Sequence, residues 1–382
     1  MIIEMRRVEI MVLKKRLVMP ILISVVLGSL TLSLCAFSSS GGVYYEYNVT
    51  FVYYGGENTS KTVNIGPQDL KLILVPSIEG WQQPVNYTLY VNGKALSPQI
   101  VIDDDGNRVI NVEDPLTIPP NGTLKITLLQ TVYVESPPPF GSRKRYDRLV
   151  VDIDTSREET YVSGFWSDDA NHTLENLANQ LWKYSGEDPE KYVLEVIKWV
   201  VTNIEYDKIS TAPPARPVDV IKLKRGACGE RAALVTALLR YKGIPSYLYI
   251  ALYYDENIYA NISSRVIYED AGLHVFSFVI NSEGGFVIDT TLPLTKPEIP
   301  QSAITQSLVN TGDNIIIIGR FVGAKNTTLS DYLEVYSDKY IVTLRRLSVK
   351  GYDNLGFLIS TSTAITALII IIFLYARALK FT

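Results

Sequence analysis

Cysteine and histidine are scarce in this 382-residue chain, which has two of each. Cys35 lies in an apolar stretch far from Cys228, so no structural disulfide is available. No cysteine–histidine cluster exists to hold zinc, and neither a metal nor a cofactor is expected. Net charge is also low. Lys and Arg number 36 against 40 Asp and Glu, a formal balance of −4. No basic stripe runs along the chain, so nucleic acid is not an expected partner. The run Asp103-Asp104-Asp105-Gly106-Asn107 faintly suggests a calcium loop but lacks the later bidentate glutamate, and reads as a hairpin turn. There is no internal repeat. What the chain does have is 47% hydrophobic residues and 25 tyrosines, enough to fill the cores of two compact domains.

Two apolar runs bracket the chain. Leu17 to Phe37 follows Lys14-Lys15-Arg16, and Leu355 to Tyr375 precedes Arg377 and Lys380. Each has about 20 residues, enough to cross a bilayer core. Their basic flanks lie on the terminal sides, which puts both termini in the cytoplasm and residues 38–354 outside it, in a cell-membrane protein. The first run also reads as a cleaved signal peptide, with Ala36 and Ser38 to Ser40 as small residues for a peptidase. Asparagine acceptor triplets at Asn48, Asn58, Asn86, Asn121, Asn171, Asn261 and Asn326 all fall between the two runs, as an exported glycoprotein requires.

Between the runs the periodicity changes once. Residues 43–135 alternate as strands, at Val43 to Tyr54, Leu70 to Val75, Tyr87 to Val91, Gln99 to Asp103, Val109 to Val112 and Thr123 to Val134. Glycine, asparagine and proline punctuate them, which predicts an all-β, sandwich-like domain. Helical periodicity begins near Thr173, and Asp188-Pro189 forms a cap and first position for a helix over Glu190 to Ile204. Beyond a loop-like stretch from Pro293 to Gln306, Ile315 to Val322 and Tyr340 to Ser348 read as strands.

The chemistry sits in the helical part. Cys228, His274 and Asp289 come in the order of a thiol nucleophile, the base that takes its proton and the carboxylate that orients the base. Cys228 opens a run from Arg231 to Tyr241 with almost no polar face, which predicts a largely buried helix with the cysteine in its first turn. There, unpaired backbone donors and the helix dipole favour a thiolate. Gly243-Ile244-Pro245 ends the helix and Ser246 to Tyr254 follows as a strand. His274 stands in a strand over Leu273 to Ile280, and Asp289 ends another over Phe286 to Asp289. With a four-residue loop from Asn281 to Gly284, Asp289 falls opposite Phe276 and diagonal to His274, within side-chain reach. A five-residue loop turns it to the other face.

Gly226, Cys228, Glu230, Leu238-Leu239-Arg240, Gly243-Ile244-Pro245, His274 and Asp289 together resemble the transglutaminase-like superfamily of papain-fold cysteine enzymes. The resemblance spans roughly residues 170–295. It implies Cys228 as nucleophile, His274 as general base and Asp289 as its partner, with Trp199, Tyr206 and Gly226 as cleft or oxyanion candidates. Two tryptophans common in the family are replaced near their places by Phe276 and Phe286.

The expected architecture is therefore α+β, with a papain-like, transglutaminase-like domain after the all-β domain and transmembrane helices at both ends. Its parts are a cytoplasmic start (1–16), a transmembrane helix or signal anchor (17–37), the β-domain (38–150) and the transglutaminase-like domain (151–300). A small β-rich membrane-proximal segment (301–354), a transmembrane helix (355–375) and a cytoplasmic tail (376–382) complete it. The expected function is a thiol enzyme acting on peptide or glutamine amide bonds of a protein or peptide substrate through a thioester, with hydrolysis favoured over amine transfer. The alternative is a non-catalytic cell-surface binding or adhesion protein on the same fold.

Overall fold

The computed structural model describes residues 42–135, 172–207, 215–263, 265–282, 285–291, 314–323 and 337–347. Both apolar runs, residues 17–37 and 355–375, lie outside the described residues, as do Asn171 and Asn326. Among the described residues no helix is long and apolar enough to cross a membrane.

Seven strands come first: β1 (Val43–Tyr54), β2 (Lys61–Ile65), β3 (Gln82–Val91), β4 (Lys94–Leu96), β5 (Gln99–Ile102), β6 (Arg108–Ile118) and β7 (Thr123–Val134). Alternate residues of β1, from Val43 to Tyr53, and of β7, from Leu124 to Val134, turn into one core, the period-two signature read from the sequence. Leu70 to Val75, expected as a strand, is mostly irregular and pairs only through isolated bridges such as Ile73 with Val109. Its Leu72 and Leu74 are nonetheless buried. The apolar alternation there reports burial rather than a ladder.

The second half contributes α1 (Thr173–Tyr184), α2 (Pro189–Asn203), β8 (Glu205–Tyr206), α3 (Pro217–Leu223), β9 (Arg225–Gly226) and α4 (Cys228–Arg240). Then come β10 (Ser246–Ser263), β11 (Val266–Val279), β12 (Phe286–Ile288), β13 (Ile315–Phe321) and β14 (Lys339–Leu347). Asp188 caps α2 as expected, its Oδ1 accepting from the amides of Glu190 and Lys191 at 3.0 and 3.1 Å.

The strands of both halves run into one sheet in the order β13-β10-β11-β14-β1-β7-β3-β4, with β12 beside β11. The splice is β14, antiparallel to β1 and parallel to β11 over Val266–Glu269 against Tyr340–Thr343. A three-stranded sheet, β2-β6-β5, supplies the other β layer. The boundary expected near residue 150 lies outside the described residues. On either side of it the strands share hydrogen bonds through β14, and Gly42–Leu347 form one compact unit.

Buried polar groups fix the β-rich N-terminal region to β13. Gln82 is wholly buried; its side-chain oxygen accepts from the Ile317 amide at 2.8 Å and its nitrogen donates to the Ile317 carbonyl at 2.8 Å. The Asp103–Asn107 turn behaves likewise. Asp103 Oδ1 accepts from the Asn107 amide at 2.7 Å, and Asp105 Oδ1 accepts from the amides of Val322 and Gly323 at 3.0 and 2.8 Å. Gly106, at φ +78°, holds a left-handed backbone conformation that side-chain-bearing residues rarely adopt. The acidic run is a hairpin turn whose carboxylates serve as backbone acceptors.

Helix α4 is buried from Gly229 to Arg240, as its missing polar face predicts. Ala232 and Ala233 let it approach Leu248, Ile250 and Val275 closely. Ser277 Oγ of β11 donates to the Ala232 carbonyl at 2.9 Å, pinning the helix to the histidine strand. Gln82→Leu strands the backbone N–H and C=O of Ile317 and should cost about 2–5 kcal/mol, since each buried unsatisfied group costs about 1–3 kcal/mol. The denaturant midpoint of the full chain measures this. An unchanged midpoint contradicts the docking role.

Candidate active site

Cys228 is the first residue of α4 and half-buried. Its placement rests on the two flanking motif residues. The Glu230 carboxylate turns back to accept from the Ala227 amide at 3.0 Å, satisfying a donor at the helix start. Gly226 makes room for that turn, since a Cβ there would lie 2.9 Å from the Glu230 Cβ. The glycine and the glutamate thus set the helix start and leave the amide of Cys228 itself among those with no intrahelical partner.

His274 and Asp289 meet. Strand β12 pairs with β11 as Val279 with Phe286 and Ser277 with Ile288, the register of the four-residue connection, so Asp289 follows opposite Phe276. His274 Nε2 and Asp289 Oδ2 are 2.7 Å apart, with the residues 9% and 2% exposed. The other carboxylate oxygen accepts from the Thr291 amide at 3.0 Å and from its hydroxyl at 2.6 Å. Asp289 is therefore both a strand-end turn former and the partner of the imidazole. With Nε2 on the carboxylate, Nδ1 is the ring nitrogen left to serve Cys228, which also acts on the imidazole electrostatically.

Electrostatics follow from this geometry. Burial pulls the His274 pKa down, but the Asp289 charge, the hydrogen bond to it and Cys228 together raise it from 6.5 to about 10. Burial pushes Asp289 up, and the His274 charge with the His274 and Thr291 hydrogen bonds more than reverses this, holding the carboxyl below its usual range. The imidazole thus keeps its proton at neutral pH.

Around the pair stand Phe276, the aromatic already named near the histidine, and groups the sequence reading missed. The Tyr253 ring is edge-on to His274, 6.3 Å between centroids, and Phe276 lies 5.6 Å away on the same strand as His274. Gly272 is what admits Tyr253, because a Cβ there would lie 2.1 Å from its ring. A glycine inside a strand is the available signal for such a close approach. Trp81 stacks on the other side of this wall, 6.1 Å from Phe276 with 3° between planes. Arg231, three residues after Cys228, lies with its guanidinium carbon 5.9 Å from the centre of the Tyr206 ring.

Of the cleft candidates, Tyr206 is 39% exposed and within electrostatic reach of Cys228 and Asp289. Its hydroxyl is pushed up to about 12, first by burial and then by Cys228, and so stays a neutral donor. Gly226 is buried in β9 and serves the helix start. Trp199, partly buried, packs on the helical core, and Phe286 is part of that core. Among the described acceptor asparagines, Asn58, Asn86 and Asn121 are exposed, while Asn48 is half-buried on the central strand β1. No group of residues able to hold a metal is found among the described residues.

A half-buried cysteine at a helix start, beside a histidine fixed by a buried carboxylate, belongs to the class of cysteine-type enzymes. Comparison with known proteins agrees. Residues 175–288 match the Transglutaminase-like superfamily, and this part of the chain is a transglutaminase-like domain. The matched span holds Cys228 and His274 and ends one residue before Asp289. A candidate cysteine protease from Cytophaga hutchinsonii shares the fold, with a TM-score of 0.51 at 15% identity over 81% of this chain and 92% of that one. The periplasmic domain of TgpA from Pseudomonas aeruginosa aligns at 14% identity over 71% of this chain and 94% of that one, with a TM-score of 0.26. Red sea bream transglutaminase aligns at 12% identity over 69% and 52%, with a TM-score of 0.24. No curated protein sequence matches the chain.

The raised His274 and lowered Asp289 values have a signed consequence. A raised histidine pKa stabilises the fold fully below 6.5 and is lost as pH rises through about 10; a lowered aspartate pKa stabilises above 3.8 and is lost in acid. The stability difference between the wild type and His274→Gln should therefore be largest between pH 3.8 and 6.5 and shrink toward pH 10. Denaturant titrations of both proteins across that range check it. A difference that does not change with pH contradicts it.

Proposed function

We propose that the protein is a membrane-anchored thiol enzyme whose Cys228, His274 and Asp289 cleave amide bonds in peptides or glutamine side chains. The observation that carries this reading is the buried Asp289–His274 pair, with Cys228 among the groups that act on the imidazole. The sulfur attacks the carbonyl carbon, and the negative charge that develops on oxygen meets the Cys228 backbone amide. As the C–N bond breaks, His274 passes its proton to the departing amine and a thioester remains. Water, or a second amine, then attacks the thioester while His274 takes up its proton, releasing the acyl product and returning the sulfur in the deprotonated form that began the cycle. Hydrolysis is the favoured outcome. No cofactor enters these steps.

Anchoring follows from the two apolar runs and their basic flanks. The enzyme domain would be extracytoplasmic, both termini cytoplasmic, and Asn58, Asn86 and Asn121 available for glycans. The opposing reading is a non-catalytic binding protein on the same fold.

The test is the alkylation rate of Cys228 by iodoacetamide near pH 7 in the folded full-length protein, read on the Cys228 peptide so that Cys35 does not interfere. Fast labelling, lowered about tenfold or more by His274→Ala, is expected for an activated thiol. Labelling only on unfolding makes Cys228 a core residue and overturns the enzyme reading.

A further inference from the structure

Arg231 is 3% exposed, and its Nε and Nη2 are buried with no hydrogen-bond partner among the described residues. Two unmatched donors on a buried guanidinium are a costly placement, offset in part by the charge of Asp289. Its position adds to that cost, because a cation near the start of a helix opposes the helix dipole. The same helix shows the alternative. Arg240, 4% exposed and near the helix end, donates through Nε to the Ser246 carbonyl at 2.8 Å, as a structural arginine does.

The carboxylates nearby do not satisfy Arg231. Both oxygens of Asp289 are engaged, one by His274 and the other by Thr291, and Glu230 is turned to the Ala227 amide. What faces the guanidinium is the ring of Tyr206, half out in solvent and beside Cys228. Residues three apart share a helix face, with Cβ atoms about 5–6 Å apart, and both Cys228 and Arg231 act on the Tyr206 hydroxyl. A planar fork of donors in a dry setting fits one chemical partner best, a carboxylate.

We propose that Arg231 is a specificity-determining residue: the substrate carries a carboxylate close to the scissile amide, and that carboxylate pairs with the Arg231 guanidinium while the carbonyl lies at Cys228. Tyr206 is the cover that the incoming carboxylate displaces or passes. The proposal rests on Cys228 being the nucleophile. It goes further in naming the charge of the substrate, which is anionic beside the bond that breaks.

The test uses the two smallest probes that differ by this charge, iodoacetate and iodoacetamide, on the full-length protein, with labelling read at the Cys228 peptide. Iodoacetate labelling should saturate with concentration, and its rate relative to iodoacetamide should fall about tenfold or more in Arg231→Gln, the worth of a charge-assisted hydrogen bond. Arg231→Lys should fall between. Arg231→Met, which removes a buried guanidinium with two unmatched donors, should keep or raise the melting temperature. An unchanged reagent ratio in Arg231→Gln overturns the proposal. So does a lower melting temperature in Arg231→Met with an unchanged ratio, which makes the arginine structural. Failure of both reagents to label the folded protein instead removes the nucleophile itself. Aryl esters locate the carboxylate. Wild-type preference over 4-nitrophenyl acetate, lost in Arg231→Gln, places it on the acyl side if shown by 4-nitrophenyl glutarate and on the leaving side if shown by 3-carboxy-4-nitrophenyl acetate. Preference for neither ester overturns the proposal.

Discussion

The 2.7 Å contact between His274 Nε2 and Asp289 Oδ2 is the constraint on which the site depends. Burying two ionisable groups costs free energy that their attraction recovers only in good geometry with every remaining lone pair satisfied. The chain meets that condition locally. Thr291 takes the second carboxylate oxygen with two hydrogen bonds, and the β11–β12 register puts Asp289 on the face of His274. A connection one residue longer without a bulge would reverse that face and leave both groups unpaired.

The register in turn needs a rigid β11, and much of the fold serves that strand. On one side Ser277 pins it to the nucleophile helix. On the other, Phe276 is held by Trp81, whose indole also donates to the Ile315 carbonyl at 3.4 Å. The β-rich N-terminal region thus buttresses the strand that carries the base, through a wall of stacked rings and the Gln82 and Asp105 contacts to β13. Two stretches that read as separate in sequence act on one sheet because β14 joins them edge to edge.

The legible parts of this arrangement are those with local causes. The alternation of β1 and β7, the Asp188 cap and the apolar run of α4 each follow from rules that act within a few residues. So does the order of Cys228, His274 and Asp289. The shared sheet was not legible, because β14 pairs with β1 and β11 across long stretches of chain and nothing in its own nine residues names a partner. Trp199 and Phe286 had the right chemistry for a cleft wall but turn to the helical core, where helix packing decides their direction. Tyr253 and Arg231 passed unnoticed for the opposite reason. One looks like any strand tyrosine and the other like any helix arginine until the fold brings them to Cys228.

The most direct test of the central pair is ¹⁵N NMR of the histidine rings in the full-length protein. With two histidines in the chain, only His172 and His274 contribute. The account predicts that His274 carries protons on both ring nitrogens at pH 7 to 8 and that Asp289→Asn abolishes this. A neutral His274 ring at pH 7.5 that titrates near 6.5 with Asp289 in place would contradict it.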